Sequence, residues 1–169
     1  DLECTMMKKG KEVGFLGSEF LLWLYWKSCE EGSLSLENLG LGEIHISLEE
    51  TISLNSITGD GYSETIKSHD IAELMSVRNS IKAGRLPEIA KVRIISKELE
   101  WFFQIRATPL KISSVKLPLT GEKDENEMIS MRLEALTRLD LIMQALFNTF
   151  LLEREEKSFV PDLKKFLEM

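Results

Sequence analysis

The residues best suited to chemistry in this sequence are cationic and lie between positions 82 and 116. Side chains alternate along a strand, so Lys91 and Arg93 share one face while Val92 and Ile94 take the other. Surfaces of lysine and arginine bind phosphate without reading base sequence, and such binding weakens as salt rises. The candidate phosphate-binding residues are Lys82, Arg85, Lys91, Arg93, Arg106, Lys111 and Lys116.

A second interpretation of the same stretch is an ordinary solvated sheet face. Glu98 and Glu100 are near enough in the sequence to pair with the neighbouring cations. The formal net charge of −7 argues against a protein that coats nucleic acid over its whole surface, but it allows a local basic patch. The sequence leaves both interpretations open.

The other reactive residue types show no pattern typical of an enzyme or a metal site. A metal site needs three or four neighbouring ligands, and His45 and His69 share no ligand spacing. Neither Cys4 nor Cys29 has a signature of an activated nucleophile, and such sparse cysteines suit a reducing cytosol. We therefore predict a cytoplasmic, non-enzymatic protein with no catalytic residue, no metal and no cofactor.

The candidate cations must be positioned by the helices and strands of the fold. The first of these elements is an aromatic segment at positions 15–26. It holds two tryptophans, a tyrosine and two phenylalanines in a dozen residues. It is too short to cross a bilayer, which takes about 20 apolar residues. We predict a helix buried on more than one side, with Ser18 as its N-cap, an end near Cys29 and Gly32 just beyond.

Alternation with a period of two predicts strands at 43–54, 90–95, 99–106 and 110–117, the last three forming an antiparallel meander. The pattern in the first strand is interrupted at two glutamates, which predicts a bulge or turn there. A second helix is predicted from Ser68 or Asp70 up to Gly84, and 33–42 is predicted to be a loop. This order of elements indicates an α+β fold, with an antiparallel sheet packed with helices and a long C-terminal helix.

The long helix is predicted at about 128–156, in a single domain of residues 1–157 that is followed by a short amphipathic tail, 158–169. Its apolar residues recur at spacings of three and four, which is typical of a helix–helix seam. The seam could pack against the protein's own sheet or against a second copy. The predicted oligomer interface consists of Leu136, Leu139, Met143, Leu146 and Phe150.

The aromatic segment resembles the Phe-Leu-Gly-x-Glu-Phe-Leu-x-Trp-Leu-Trp segment of bacterial and phage proteins grouped as recombination-associated, RdgC-like proteins. The motifs that follow have a similar order over about residues 13–155. They are a helix that ends Ile81-Lys82-Ala83-Gly84-Arg85, a strand pair with Trp101, the end Lys116-Leu117-Pro118, and a long helix with Leu146-Phe147 and Phe150. Arg85 stands where the family pattern has a lysine, and the positive charge is kept.

The resemblance implies a non-enzymatic protein that binds double-stranded DNA independently of sequence. Better-known members form a ring-like dimer with a basic central hole and restrain RecA-type recombination. The implied partners are therefore the DNA backbone, a second copy of the chain and recombination proteins, at the nucleoid and not at a membrane. The alternative is a protein-interaction or scaffold module that oligomerises through its long helix.

Overall fold

An antiparallel sheet of six strands is the centre of this computed structural model, which describes residues 16–30, 33–36, 42–56, 61–71, 74–97, 99–118 and 124–169. The strands are β1 (Ser33–Leu36), β2 (Gly42–Ser56), β3 (Ser63–Lys67), β4 (Arg85–Ser96), β5 (Leu99–Arg106) and β6 (Lys111–Lys116). They lie in the order β1-β2-β4-β5-β6, and β3 pairs with β2. Strands β4 to β6 form the predicted meander.

The helices of the described residues lie on one face of this sheet. They are α1 (Leu16–Cys29), α2 (Met75–Lys82), α3 (Glu125–Glu155) and α4 (Phe159–Glu168). Buried residues alternate with accessible ones along the strands, so one sheet face is apolar and forms the core with the helices. The indole N–H of Trp101 on β5 donates to the carbonyl of Ala135 on α3 at 3.1 Å. The predicted α+β fold is confirmed.

Helix α1 is buried on more than one side, as its aromatic sequence predicts. Every side chain from Phe20 to Trp26 is at most 6% exposed. The Phe20 ring meets Phe147 of α3 edge-on, with 5.2 Å between centroids, and Trp26 stacks on Phe166 of α4 at 6.0 Å. A helix enclosed in this way needs no polar face, because the sheet, α3 and α4 together replace the solvent.

The start of α1 differs from the prediction. The helix begins two residues before Ser18, so this serine lies inside the first turn and does not cap it. A Cβ atom on Gly17 would lie 2.0 Å from the carbonyl oxygen of Ala107, just after β5. Glycine therefore permits the helix to approach the sheet closely here. The predicted end at Cys29 is confirmed, and Gly32 lies outside the described residues.

The strand predictions agree with the structure except that β4 begins at Arg85, five residues earlier than predicted, and that two short strands were not predicted. The pairing of β2 with β4 shifts between Glu49 and Ile52, which confirms the predicted interruption at the glutamates. Strand β1 lies in the segment that we predicted as a loop, and β3 falls between the predicted strand 43–54 and the second predicted helix. Both are short and only partly buried, so no continuous apolar face marks them in the sequence.

Helix α2 begins at Met75, later than the predicted start at Ser68 or Asp70. The hydroxyl oxygen of Ser68 accepts a hydrogen bond from the backbone N–H of Asp70 at 3.2 Å, which forms a local turn before the helix. Gly84 follows the helix with a φ of 85°, the left-handed conformation expected of a residue just past a helix end.

The predicted oligomer interface on α3 is wrong for four of its five residues. Leu139, Met143, Leu146 and Phe150 are buried in the protein's own core. Side chains without accessible surface cannot contact a second copy of a folded chain, so the alternative of intramolecular packing applies to them. Leu136 is 43% exposed and keeps a free surface. The helix itself agrees with the prediction to within three residues at its start.

The predicted tail, 158–169, forms α4 and belongs to the same core as α1. Its apolar face is buried against the rest of the chain and includes an edge-on contact between Phe166 and Tyr25, with 5.8 Å between centroids. The buried residues of α4 are Phe159, Leu163, Phe166 and Leu167.

Candidate nucleic-acid interface

The sheet face opposite the helices carries most of the candidate cations, and we call it the outer face. Residues that pair directly across an antiparallel sheet lie on the same face. Lys91 pairs with Gln104, and Arg93 with Phe102, while Val92 and Ile94 between them are buried. The predicted alternation in β4 is therefore confirmed.

Strand β6 adds two lysines to the outer face because it contains a bulge. Lys111 pairs with Arg106 and Lys116 pairs with Phe102, so both lysines lie on the outer face although five positions separate them. In a regular strand an odd separation would send them to opposite faces. The pairing shifts between Phe102 and Gln104, and Ser114 has a φ of 54°. The extra residue at this bulge changes the face that the following residues take, so Lys116 lies on the same face as Lys111.

Internal ion pairs neutralise Lys91 and Arg93. The ammonium group of Lys91 contacts the carboxylate of Glu50, and the guanidinium of Arg93 contacts Glu100 and, at 3.6 Å, Glu49. Hydrogen bonding from Lys91, with its charge, lowers the pKa of Glu50. The second interpretation, a salt-bridged face, therefore holds for these two cations. The predicted contact with Glu98 lies outside the described residues.

Arg106, Lys111 and Lys116 have no ion pair within 4.0 Å in the parts of the chain that the structure describes. Arg106 and Lys111 are nevertheless direct cross-strand neighbours. Like charges in such a position repel each other and weaken the sheet. These three and Lys67 on β3 are thus the outer-face cations without a close ion pair among the described residues, although Arg106 lies near the charge of Glu88 and Lys116 near that of Glu50.

The remaining two candidates, Lys82 and Arg85, lie away from the outer face. Arg85 is the first residue of β4 and bonds Glu64 at 2.7 Å and the hydroxyl of Ser80 on α2 at 3.2 Å. Its guanidinium also lies 4.2 Å from the ring centroid of Tyr62. Lys82 is exposed in the last turn of α2. The seven candidates do not form one surface, because these two lie on the helix-bearing side.

The outer face is more basic than the protein as a whole. Among its described residues we find six cationic and four acidic side chains, whereas the whole chain has a net charge of −7. The cations are Lys67, Lys91, Arg93, Arg106, Lys111 and Lys116, and the acids are Glu43, Glu49, Glu50 and Glu100.

A cleft of about 610 Å³ on the helix side was not anticipated from the sequence, because its walls come from four separate helices. Trp26, Arg78 and Phe166 line it, together with Cys29. Burial raises the pKa of the Cys29 thiol, against the opposing influence of Tyr25 and Arg78. The thiol is thereby held protonated, which makes it a weak nucleophile.

Within the described ranges, no group of three or more histidine, cysteine or acidic residues is arranged to hold a metal ion. His45 is exposed on the outer face, away from the buried isoleucines, as predicted. Helix α3 is long and apolar enough to cross a membrane by length and composition, a test that core helices of globular proteins also meet.

The chain is thus an α+β protein whose sheet bears cations on the face that the described helices leave uncovered. No protein-family model, curated protein or solved structure matches this chain. The resemblance to RdgC-like proteins, together with the DNA binding and dimerisation that it implies, therefore stays a prediction.

Proposed function

We propose that the outer face binds the phosphate backbone of double-stranded DNA independently of sequence, and that the protein is not an enzyme. One observation carries the proposal: in an acidic protein, the sheet face that the described helices leave uncovered bears an excess of cations, and four of these form no ion pair within 4.0 Å with a described residue. Anionic polymers are the partners that such a surface attracts most strongly.

The type of side chain on this face favours contacts to phosphate over contacts to bases. Sequence reading in the major groove needs a helix or a two-stranded ribbon that enters the groove with bidentate side chains. The outer face is instead a broad sheet surface from which long cationic side chains extend on three neighbouring strands. Contacts of this kind fix position on a duplex and carry no sequence information. A role in restraining recombination rests on the resemblance alone.

Charge-neutralising variants test the proposal. We expect the double variant Arg106→Gln, Lys111→Gln to bind a 20-base-pair duplex about tenfold more weakly for each cation removed, at about 50 mM salt. The matched control is Lys157→Gln, Lys165→Gln, which removes two exposed cations from the helix side. Equal losses in both double variants would show that only net charge matters and would refute a specific role for the outer face.

A second candidate function, association through α3, is favoured by its exposed residues. Ile129, Leu133 and Leu136 follow one another at spacings of four and three, and are 56%, 60% and 43% exposed. They form a stripe that the core does not use. Antiparallel pairing of two copies about Leu133 would set Arg132 of each beside Glu134 of the other, so a homodimer is the partner we favour.

A further inference from the structure

We propose that the native protein contacts a phosphate backbone through the outer-face cations that form no ion pair with a described residue, Lys67, Arg106, Lys111 and Lys116, and not through Lys91 and Arg93, because three glutamates hold Lys91 and Arg93 in internal ion pairs. These glutamates, Glu49, Glu50 and Glu100, act as built-in competitors of the ligand's phosphates. The inference rests on the proposed function and adds to it a division of the outer face into an active and a restrained part.

The active part is defined by cations that form no close ion pair with the carboxylates of the described residues. Arg106 and Lys111 are direct neighbours across β5 and β6, and neither has an acidic partner within 4.0 Å in the described ranges. Such a pair lowers the stability of the sheet but is well suited to share one anion.

The spacing along β6 suits a row of phosphates. Lys111 and Lys116 lie on the same face because of the bulge at Ser114. At a rise of about 3.3 Å per residue, reduced by the bulge, their backbones lie about 15 Å apart. DNA carries one charge about every 1.7 Å of helix axis, so two lysines this far apart contact different phosphates.

The restrained part depends on the bulge in β2. In a regular strand, Glu49 and Glu50 would point to opposite faces. The shift in pairing after Glu49, with Glu50 at a φ of 55°, instead lets each glutamate contact one cation of β4. A positive φ is uncommon for a residue other than glycine, and such conformations concentrate at functional sites.

The ion pairs change what binding can gain from Lys91 and Arg93. A phosphate that reaches either cation must displace a carboxylate that is already bound, so one ion pair replaces another. Removing the carboxylates should free both cations. Each additional phosphate contact should then steepen the dependence of log affinity on log salt concentration by about 0.9.

The first test is the triple variant Glu49→Gln, Glu50→Gln, Glu100→Gln, measured by fluorescence anisotropy with a 20-base-pair duplex. We expect tighter binding by about tenfold for each freed cation at about 50 mM salt, with a salt slope steeper by about two. The control is Glu43→Gln, which removes an acidic charge of the same face that forms no ion pair within 4.0 Å with a described residue. It should leave the slope unchanged.

A charge-neutral variant makes the test independent of net charge. Glu50→Gln with Lys91→Gln removes one complete, exposed ion pair, and exposed pairs contribute little to stability, so the variant should fold. We expect its affinity and salt slope to equal those of the native protein. A slope shallower by about one would show that Lys91 contacts phosphate and would contradict the inference. If the native protein does not bind at all, the proposed function itself is wrong.

Discussion

At the scale of single residues, Gly17 marks a close approach of α1 to the sheet. Its missing side chain lets α1 lie against the end of β5, where a Cβ atom would be 2.0 Å from a backbone oxygen. Backbone cannot move aside as a flexible side chain can. The helix or the strand end would therefore have to shift as a unit, and both contribute to the core.

We expect Gly17→Ala to lower the free energy of unfolding by about 3 kcal/mol or more, because overpacking against backbone is costly. Chemical denaturation measures this. The control is Gly84→Ala, which meets no atom within 4 Å and is strained only by its φ of 85°. Its loss should be about 1 kcal/mol. A loss at Gly17 no larger than that at Gly84 would contradict the packing described here.

Glu88 is an acidic residue that destabilises the fold when it is ionised. Burial raises its pKa above the ordinary value of 4.5, although its carboxylate accepts a hydrogen bond from the backbone N–H of Thr108 and lies near the charge of Arg106. The folded protein therefore binds a proton here more tightly than the unfolded chain does. Ionisation at neutral pH costs stability that is recovered as the pH falls through the raised pKa.

We expect Glu88→Gln to raise the melting temperature at pH 7, because glutamine keeps a hydrogen-bond acceptor and carries no charge. The gain should shrink as the pH falls and be absent below about pH 4, where the native glutamate is protonated. Thermal unfolding from pH 3 to pH 8 measures the difference. The account of Glu88 is wrong if the gain is constant over that range or grows as the pH falls.

At the scale of elements, the sequence predicts the helices and strands that have a periodic apolar pattern, and it misses the short strands that lack one. The strands of the meander and the long helix are evident because apolar residues recur at spacings of two or of three and four. The spacing of apolar residues shows that an element has an apolar face, but it does not show what packs against that face. The seam of α3 is correct as a face, yet Leu139 and Leu146 meet the protein's own core and not a second copy.

The same limit applies to the candidate site. Alternation in β4 predicts that Lys91 and Arg93 share a face, and this is confirmed. Their ion pairs with Glu49 and Glu50 depend on how far β2 shifts at its bulge, which the sequence does not specify. The separation of Arg85 from the other cations likewise depends on its contact with Glu64, 21 positions away. Ion pairs between residues far apart in the sequence depend on how the strands and helices pack, which local patterns do not specify.

The exposed stripe on α3 leads to a prediction about assembly. We expect the native chain to sediment as a dimer at about 100 μM, and Leu133→Asp to sediment as a monomer, since a buried unpaired charge would disrupt an apolar contact. The control is Leu152→Asp, which alters a more exposed leucine, 70% accessible, near the other end of the helix. A native monomer, or a dimer that survives Leu133→Asp, would contradict association through this stripe.

At the scale of the whole molecule, charge is distributed unevenly over an acidic protein. Six of the cations lie on the one sheet face that the described helices leave open, while the net charge of the chain is −7. Net charge disfavours approach to DNA at long range, and the local excess favours contact at short range. Because mobile ions screen charges beyond about 10 Å at 0.1 M salt, the local excess should dominate near physiological salt.

The most direct test of the outer face is the salt dependence of DNA binding by the native protein. Fluorescence anisotropy with two 20-base-pair duplexes of unrelated sequence, from about 50 to 200 mM salt, gives both affinity and slope. We predict equal affinities for the two duplexes and a slope of about −3.6, as expected for four phosphate contacts. Absence of binding at the lowest salt, or binding that does not weaken as salt rises, would contradict the account.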